Sequence, residues 1–331
     1  MDSFIKYFGG KSILANNIVD LMPPHRTYIE PFCGASWVLF NKPPSNIEVI
    51  NDIDNDLINL YLIIQNNLDD FIQYLDKIPI SEYLFNTMSK GIPYRSPRYT
   101  VNPGKEGIPV KDLNHDISRA CSTYYILMNS FNGNISNPPS FAIKNNARSS
   151  FMKFYNTDWE MVRDRLKPVT ILTRDYSEII KKFDGPESLF YLDPPYFVAT
   201  NETRYYRYTF TGQDHDRLQV YLSDIRGKFI LSYDNCQEVR ELYQDFNIRI
   251  MSDTELLIYN FEPSEVPYYC REGIPKPDRG PSQGAWHIPN CSYCGSRNIQ
   301  KLYRRDTLDG NKRTFKHKGF TCNDCMGVFN A

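Results

Sequence analysis

The tetrapeptide Asp193-Pro194-Pro195-Tyr196 has the residue types needed to act on a planar amine. An exocyclic amine on an aromatic ring is a poor nucleophile, because its lone pair is delocalised into the ring. A carboxylate and a neighbouring carbonyl, stiffened by two prolines that fix φ, can accept its protons and drive the nitrogen towards a tetrahedral geometry ready for attack. Tyr196 adds an aromatic face for stacking. A strand-ending turn explains the same four residues, so the neighbouring motifs must decide.

Three segments offer a nucleoside site. Phe4 to Lys11 opens a helix, and Gly9 and Gly10 allow the backbone to approach a ligand there; no phosphate-loop pattern is present. Tyr28 to Ser36 reads as a strand running into a tight turn of small residues, Glu30-Pro31-Phe32-Cys33-Gly34-Ala35. Asn51 to Asp56 puts acidic groups at a strand end before a helix, where a carboxylate can accept both ribose hydroxyls. Asp52 is the candidate for the ribose, and Asp56 reads as the helix cap.

These residues need strand ends to carry them. Short apolar runs at residues 27–30, 47–50, 169–172, 189–192 and 228–231 read as buried strands, with helical patterns at 12–21, 56–65 and 214–225 between several of them. The alternation predicts an α/β fold, a mostly parallel sheet covered by helices, with ligands at the carboxyl ends of the strands. Residues 68–159 break the rhythm with a Pro, Gly and basic loop at 91–111, a helix at 116–129 and the polar run 129–134, and read as an inserted domain. The catalytic core is then 1–67 with 160–261. Prolines spread through 262–289 mark a linker, and 290–331 forms a separate module.

Taken together, Lys6 to Lys11, Glu30 to Ala35, Asp52 to Tyr61, Phe131-Asn132-Gly133, Arg174-Asp175-Tyr176 and Asp193 to Tyr196 stand in the order seen in Dam-like adenine-N6 DNA methyltransferases of the alpha class. The chain resembles that family over roughly residues 4 to 261, including Leu231 to Asn235 and Glu255 to Ile258. The resemblance implies a Rossmann-like, S-adenosylmethionine-dependent core with an inserted, mainly helical target-recognition domain. It implies that Gly9-Gly10-Lys11 and the Glu30 to Ala35 turn hold the cofactor, with Tyr7 and Lys11 at the cofactor and active site and Asp175 with Tyr176 by the cofactor's adenine. A flipped target adenine would stack on Tyr196, its amine bonded to Asp193 and the Pro194 carbonyl. Phe8 departs from the small residue usual there. Cys33 gives the turn a look of cytosine-C5 enzymes, but the chain has no Pro-Cys dipeptide, and Cys33 reads as a packing residue.

The implied partner is double-stranded DNA. Arg148, Arg204 and Arg207 are candidates for its phosphates, and Asn129 and Asn132 for base edges. A solvated polar face accounts for single charges equally well. Cys291-x-x-Cys294 and Cys322-x-x-Cys325 have the spacing of a structural zinc site, giving a zinc-ribbon-like module whose long gap a hairpin through residues 308–311 would fill. The four other cysteines read as reduced thiols. A net charge of −1 and a pI near 6.5 argue against a strongly basic coat without excluding a DNA face. No apolar run can span a bilayer and no signal peptide opens the chain, which reads as cytoplasmic, in a viral host cell if viral, and monomeric, with a cognate restriction enzyme as a possible companion. Two other functions fit: methylation of another planar amine, RNA adenine or cytosine N4, and a catalytically inactive DNA-binding module.

Overall fold

The computed structural model describes residues 1–91, 113–135, 140–142, 152–197, 208 and 210–264, the side chains of Asn132 and Met152 apart, and the backbone of 299–306, 314–322 and 328–329. Its chain divides into two compact units, one of residues 1–152 with 158–277, the other of 153–157 with 278–331.

The first unit holds a seven-stranded sheet, in the order β3-β2-β1-β4-β5-β7-β6. Thr27–Glu30 (β1), Ile47–Asn51 (β2), Thr170–Leu172 (β3), Ser188–Leu192 (β4) and Lys228–Asp234 (β5) run parallel. These are the five strands expected from the apolar runs. Every residue of β4 is buried, which is why that strand reads as a continuous apolar run rather than an alternating one. Asn247–Ser252 (β6) and Glu255–Tyr259 (β7) form a hairpin, and β7 is antiparallel to both neighbours. No apolar run marks β6, because it lies at the sheet edge and its residues are largely exposed.

Helices follow the strands: Ala15–Leu21 (α1), Trp37–Asn41 (α2), Asn55–Asn66 (α3), Leu68–Leu75 (α4), Glu82–Ser89 (α5), Leu113–Asn129 (α6), Met152–Asn156 (α7), Trp159–Leu166 (α8), Tyr176–Phe183 (α9), Gly212–Ser223 (α10) and Gln237–Leu242 (α11). Asp54, not Asp56, caps α3, accepting the N–H groups of Asp56 and Leu57. Asp56 lies one residue inside the helix and pairs instead with Arg119 of α6 at 3.2 Å. One sheet face packs Ile29, Phe190, Phe229, Leu231 and Ile258 against Ile179, Leu218 and Leu222 of α9 and α10. On the helical side, α6 lies along α3, where Asn59 donates to the Asp116 carbonyl at 2.8 Å, and Phe71, Tyr124 and Trp159 meet as an aromatic triangle with centroids 5.3 to 5.6 Å apart.

In the second unit, Ile299–Asp306 (β8), Thr314–Cys322 (β9) and Val328–Phe329 (β10) form an antiparallel sheet in the order β10-β9-β8. Among the described residues no helix is long and apolar enough to cross a membrane.

Candidate active site

Strand order reverses between β1 and β4, so the connections leave their carboxyl ends in opposite directions and open a crevice there. After β1 the chain turns sharply: Gly34 has φ +45° and Ser36 φ +47°. A Cβ on Gly34 would stand 3.3 Å from the Tyr7 ring, so glycine serves both the backbone and the close approach. The turn is tied to the next strand end by Asp52, whose Oδ2 accepts the Gly34 N–H at 3.1 Å and whose Oδ1 accepts the Asp54 N–H at 3.0 Å. Burial pushes Asp52 up to about 6 against these hydrogen bonds.

Asn51 joins three strand ends, donating to the carbonyls of Pro31 and Arg174, both at 2.9 Å, and accepting the Arg174 N–H at 2.9 Å. The strand signal concealed this role, because Asn51 closes an apolar run as any turn residue would. After β3, Asp175 caps α9 through Ser177 N–H. Arg217 of α10 lies 3.1 Å from Asp175 Oδ2, and its Nε donates to the Tyr176 hydroxyl at 2.8 Å. Tyr176 packs on Phe32 and Phe210, with centroids 5.2 and 5.7 Å away. These rings form an apolar wall beside a carboxylate, suited to a purine with a polar edge.

At the end of β4, Asp193 Oδ1 lies 2.8 Å from Lys11 Nζ. The lysine also donates to the Gly9 carbonyl at 2.9 Å and lies 4.7 Å from the Tyr196 ring centroid. Tyr196 stacks on Tyr233, rings 13° from parallel and 5.9 Å apart, and donates its hydroxyl to Glu255. Burial raises Asp193 above the ordinary carboxylate range and Lys11 opposes this. Burial likewise lifts Glu255 to about 7. Lys11 belongs to a segment held from behind by Gly133, whose φ is +68° and whose Cβ, were there one, would stand 2.8 Å from the Lys6 carbonyl carbon. That close approach gives Phe131-Asn132-Gly133 a physical reason.

One cavity of about 500 Å³ joins these parts. It brings together Tyr7, Gly9, Gly10, Lys11, the whole of Glu30 to Ala35, Asp52, Asp175, Tyr176 and Asp193 to Tyr196. Glu30 also supports the turn, accepting the Tyr28 hydroxyl and the Leu39 N–H at 2.7 and 2.8 Å, and burial lifts it to about 7. Cys33 is buried in the same turn, and burial pushes its thiol well up, away from nucleophilic form. Sequence reasoning gave no site role to Asp54 and Phe210 or to Arg217 in the lining, nor to Glu255 behind it; Asp54 and Glu255 stand in segments that carry the resemblance, whereas Phe210 and Arg217 come from outside the quoted motifs.

Of the expected DNA-reading residues, Asn129 and the backbone of Asn132 fall within the described residues. Asn129 is buried, 3% exposed, and its amide donates to the Tyr125 carbonyl at 2.9 Å; its place at the last turn of α6 spends the side chain on the helix, not on a base edge. Asn132 lies in a 3-10 turn at residues 131–133, its side chain outside the described residues. Arg148, Arg204, Arg207, Cys291, Cys294 and Cys325 lie outside the described residues, as does the side chain of Cys322. Among the described residues no cluster of acidic, histidine or cysteine side chains could hold a metal.

Residues 7–255 match the model of the D12 class of N6 adenine-specific DNA methyltransferases. The type II methyltransferase M.MjaIII of Methanocaldococcus jannaschii is 27% identical over 264 residues, covering 74% of this chain and 89% of that protein. The type II methyltransferase M1.LlaDCHI of Lactococcus lactis subsp. cremoris is 27% identical over 269 residues, 76% and 87% of the two chains. A DNA adenine methylase of Haemophilus influenzae is 28% identical over 215 residues, 62% and 67%. The chain belongs to the D12 class of N6 adenine-specific DNA methyltransferases.

Proposed function

We propose that this D12-class chain is a site-specific DNA methyltransferase that methylates adenine N6 with S-adenosylmethionine, and that Asp193, Pro194, Pro195 and Tyr196 carry the reaction. The observation that carries the reading is the Lys11–Asp193 pair beside the Tyr196 ring, set in one cavity with the turn after β1, Asp52 and Asp175.

The residues present fit the cofactor. Asp52 keeps lone pairs for a ribose while holding Gly34 and Asp54; Phe32, Tyr176 and Phe210 suit its adenine; Gly9, Gly10, Lys11, Tyr7 and the Glu30 to Ala35 turn line the remaining length. When bound, it supplies an electrophilic methyl group that already carries its own leaving group. Asp193 and the Pro194 carbonyl then accept the protons of an adenine amine, and Tyr196, backed by Tyr233, fixes the ring plane of a base flipped out of the duplex. Lys11 opposes the desolvation that raises Asp193.

The finer organisation belongs to the same proposal: residues 1–67 and 160–261 as catalytic core, 68–159 as target-recognition insertion, 262–289 as linker and 290–331 as a zinc-ribbon-like module. Arg148, Arg204 and Arg207 would meet the phosphates of duplex DNA. The zinc proposal has support in the backbone: β8 and β9 form an antiparallel pair either side of residues 307–313, and the register sets Cys322 opposite Ile299, five residues after Cys294. Cys291, Cys294, Cys322 and Cys325 would hold a structural zinc.

The test is methyl transfer from labelled S-adenosylmethionine to unmethylated genomic DNA, with the product nucleosides resolved by mass spectrometry. N6-methyladenine from the wild type, and a loss of about 10³-fold or more in Asp193→Ala with cofactor binding intact, is expected. N4-methylcytosine, or product only with RNA, would replace the substrate in this reading, and absence of cofactor binding would sink it.

A further inference from the structure

Glu255 is the one member of the central cluster that no motif of planar-amine chemistry calls for. It opens β7, the strand that runs against its neighbours, and pairs in register with Asp234 of β5. The reversed direction brings the first residue of β7 to the end of the sheet where the parallel strands finish. There its Oε1 accepts the Tyr196 hydroxyl and lies 3.6 Å from Lys11 Nζ, while the same ammonium sits 2.8 Å from Asp193 Oδ1. Two carboxylates share one lysine, on side chains that are 13% and 21% exposed.

Among the described residues this arrangement is one positive charge short. A partly buried carboxylate needs a cation or a set of hydrogen bonds, and Lys11 cannot neutralise both. The uncompensated share shows in Glu255 itself: burial lifts it to about 7, Lys11 opposes this, and Asp193 adds to it. The groups that face it are Lys11 from the N-terminal segment, Asp193 and Tyr196 after β4, Tyr191 on β4 and Asp234 on β5. Among the described residues that face it, only Lys11 is a cation.

We infer that Glu255 is a positioning and charge-setting residue of this site: it holds the Tyr196 hydroxyl and the Lys11 ammonium, and it supplies the second negative charge that selects a sulfonium ligand over its neutral thioether product. The inference rests on the cofactor reading above and deepens it. Ionised Glu255 favours the positive methyl donor before reaction. The neutral product gains nothing from it and leaves more readily. The selectivity is present above about pH 7, where Glu255 is ionised, and is lost as the pH falls below that.

The experiment measures binding without DNA, on the full chain. Calorimetry gives dissociation constants for S-adenosylmethionine and S-adenosylhomocysteine in the wild type and in Glu255→Gln at pH 8.5 and 6. At pH 8.5 the variant should lose about tenfold of the preference for the sulfonium. At pH 6 the wild type should approach the variant, and comparing the two removes the titrations of Glu30 and Asp52. Loss of packing alone would weaken both ligands together and leave the ratio unchanged, which overturns the inference. A second measurement needs no neutral variant: carboxyl-labelled glutamate is titrated by carbon NMR, with the Glu255 signal assigned by its disappearance in Glu255→Asp. Its midpoint should fall with S-adenosylmethionine and hold with S-adenosylhomocysteine; equal behaviour with both overturns the inference. A wild type that binds neither ligand overturns the cofactor reading as well. One that binds both without discrimination, yet makes N6-methyladenine, overturns this inference alone.

Discussion

Lys42 and Lys11 meet carboxylates at opposite ends of the same sheet. At the amino end, Lys42 and Glu48 have side chains 0% and 2% exposed. The lysine also donates to the Pro43 carbonyl and Ser45 Oγ at 2.7 and 2.8 Å, and Arg165 reaches Glu48 Oε1 at 2.8 Å. Burial works to raise Glu48, yet Arg165 and Lys42 together hold it below the ordinary carboxylate range. At the carboxyl end one lysine serves two carboxylates, Asp193 and Glu255, and burial keeps both raised. The first cluster closes on itself with cations in excess. The second, among the described residues, has carboxylates in excess, with Asp193 lining the cavity. Chemical type is the same in the two, and burial is deeper in the first; the balance of partners separates a structural ion cluster from a reactive one.

The largest effect should come from upsetting the closed cluster. Glu48→Gln leaves Lys42 and Arg165 as buried cations without their carboxylate, and urea unfolding should show a loss of about 3–5 kcal/mol. Methyl transfer per folded molecule should stay within about twofold; a lost activity with intact stability would erase the contrast. At the open end the consequences reverse. Lys11→Met should slow single-turnover methyl transfer about 100-fold, with a stability change of about 1 kcal/mol or less, because the two carboxylates then share a proton in place of the ammonium. Equal losses in rate and stability would place Lys11 with Lys42 as a structural group.

The smallest effect is a pH dependence of opposite sign at the two ends. Glu255 and Glu30 are lifted from 4.5 to about 7. Between those values the folded state holds protons that the unfolded state has lost, so stability falls as the pH rises through 7. Lowering the pH from 8 to 6 should therefore raise the unfolding free energy of the ligand-free protein by about 1–2 kcal/mol, and Glu255→Gln with Glu30→Gln should reverse the slope, because burial holds His25 down at about 4 and its protonation in the unfolded state then costs stability towards pH 6. Glu48, held low, contributes stability above the usual carboxylate value and loses it only as the pH falls below that value. A double variant with the same profile as the wild type between pH 6 and 8 would show that the open end is compensated after all.

Much of the site was legible because its signals are local. Asp193 to Tyr196 follow an apolar run, the Glu30 to Ala35 turn closes another, and Asp52 stands at the end of a third; strand ends are written in a few consecutive residues. The same local logic failed where neighbours compete. Asp54 and Asp56 both look like caps, and only the backbone of Asn55 and its followers decided for Asp54. Asn129 looked available beside Phe131, but the last turn of α6 buried it.

Period, turn chemistry and φ were enough to read from the sequence the five parallel strands and the acidic, glycine and aromatic residues that end them; β6, with its exposed edge, was not among them. Tertiary structure alone decided which ends meet. Asn51 bridges to Pro31 and Arg174 because β1, β2 and β3 are neighbours, Arg217 reaches Asp175 from α10, and Glu255 joins Lys11 and Tyr196 because β7 runs against the strands beside it. Strand order and direction are set by packing the whole sheet between its helices, and no window of a few residues contains that information.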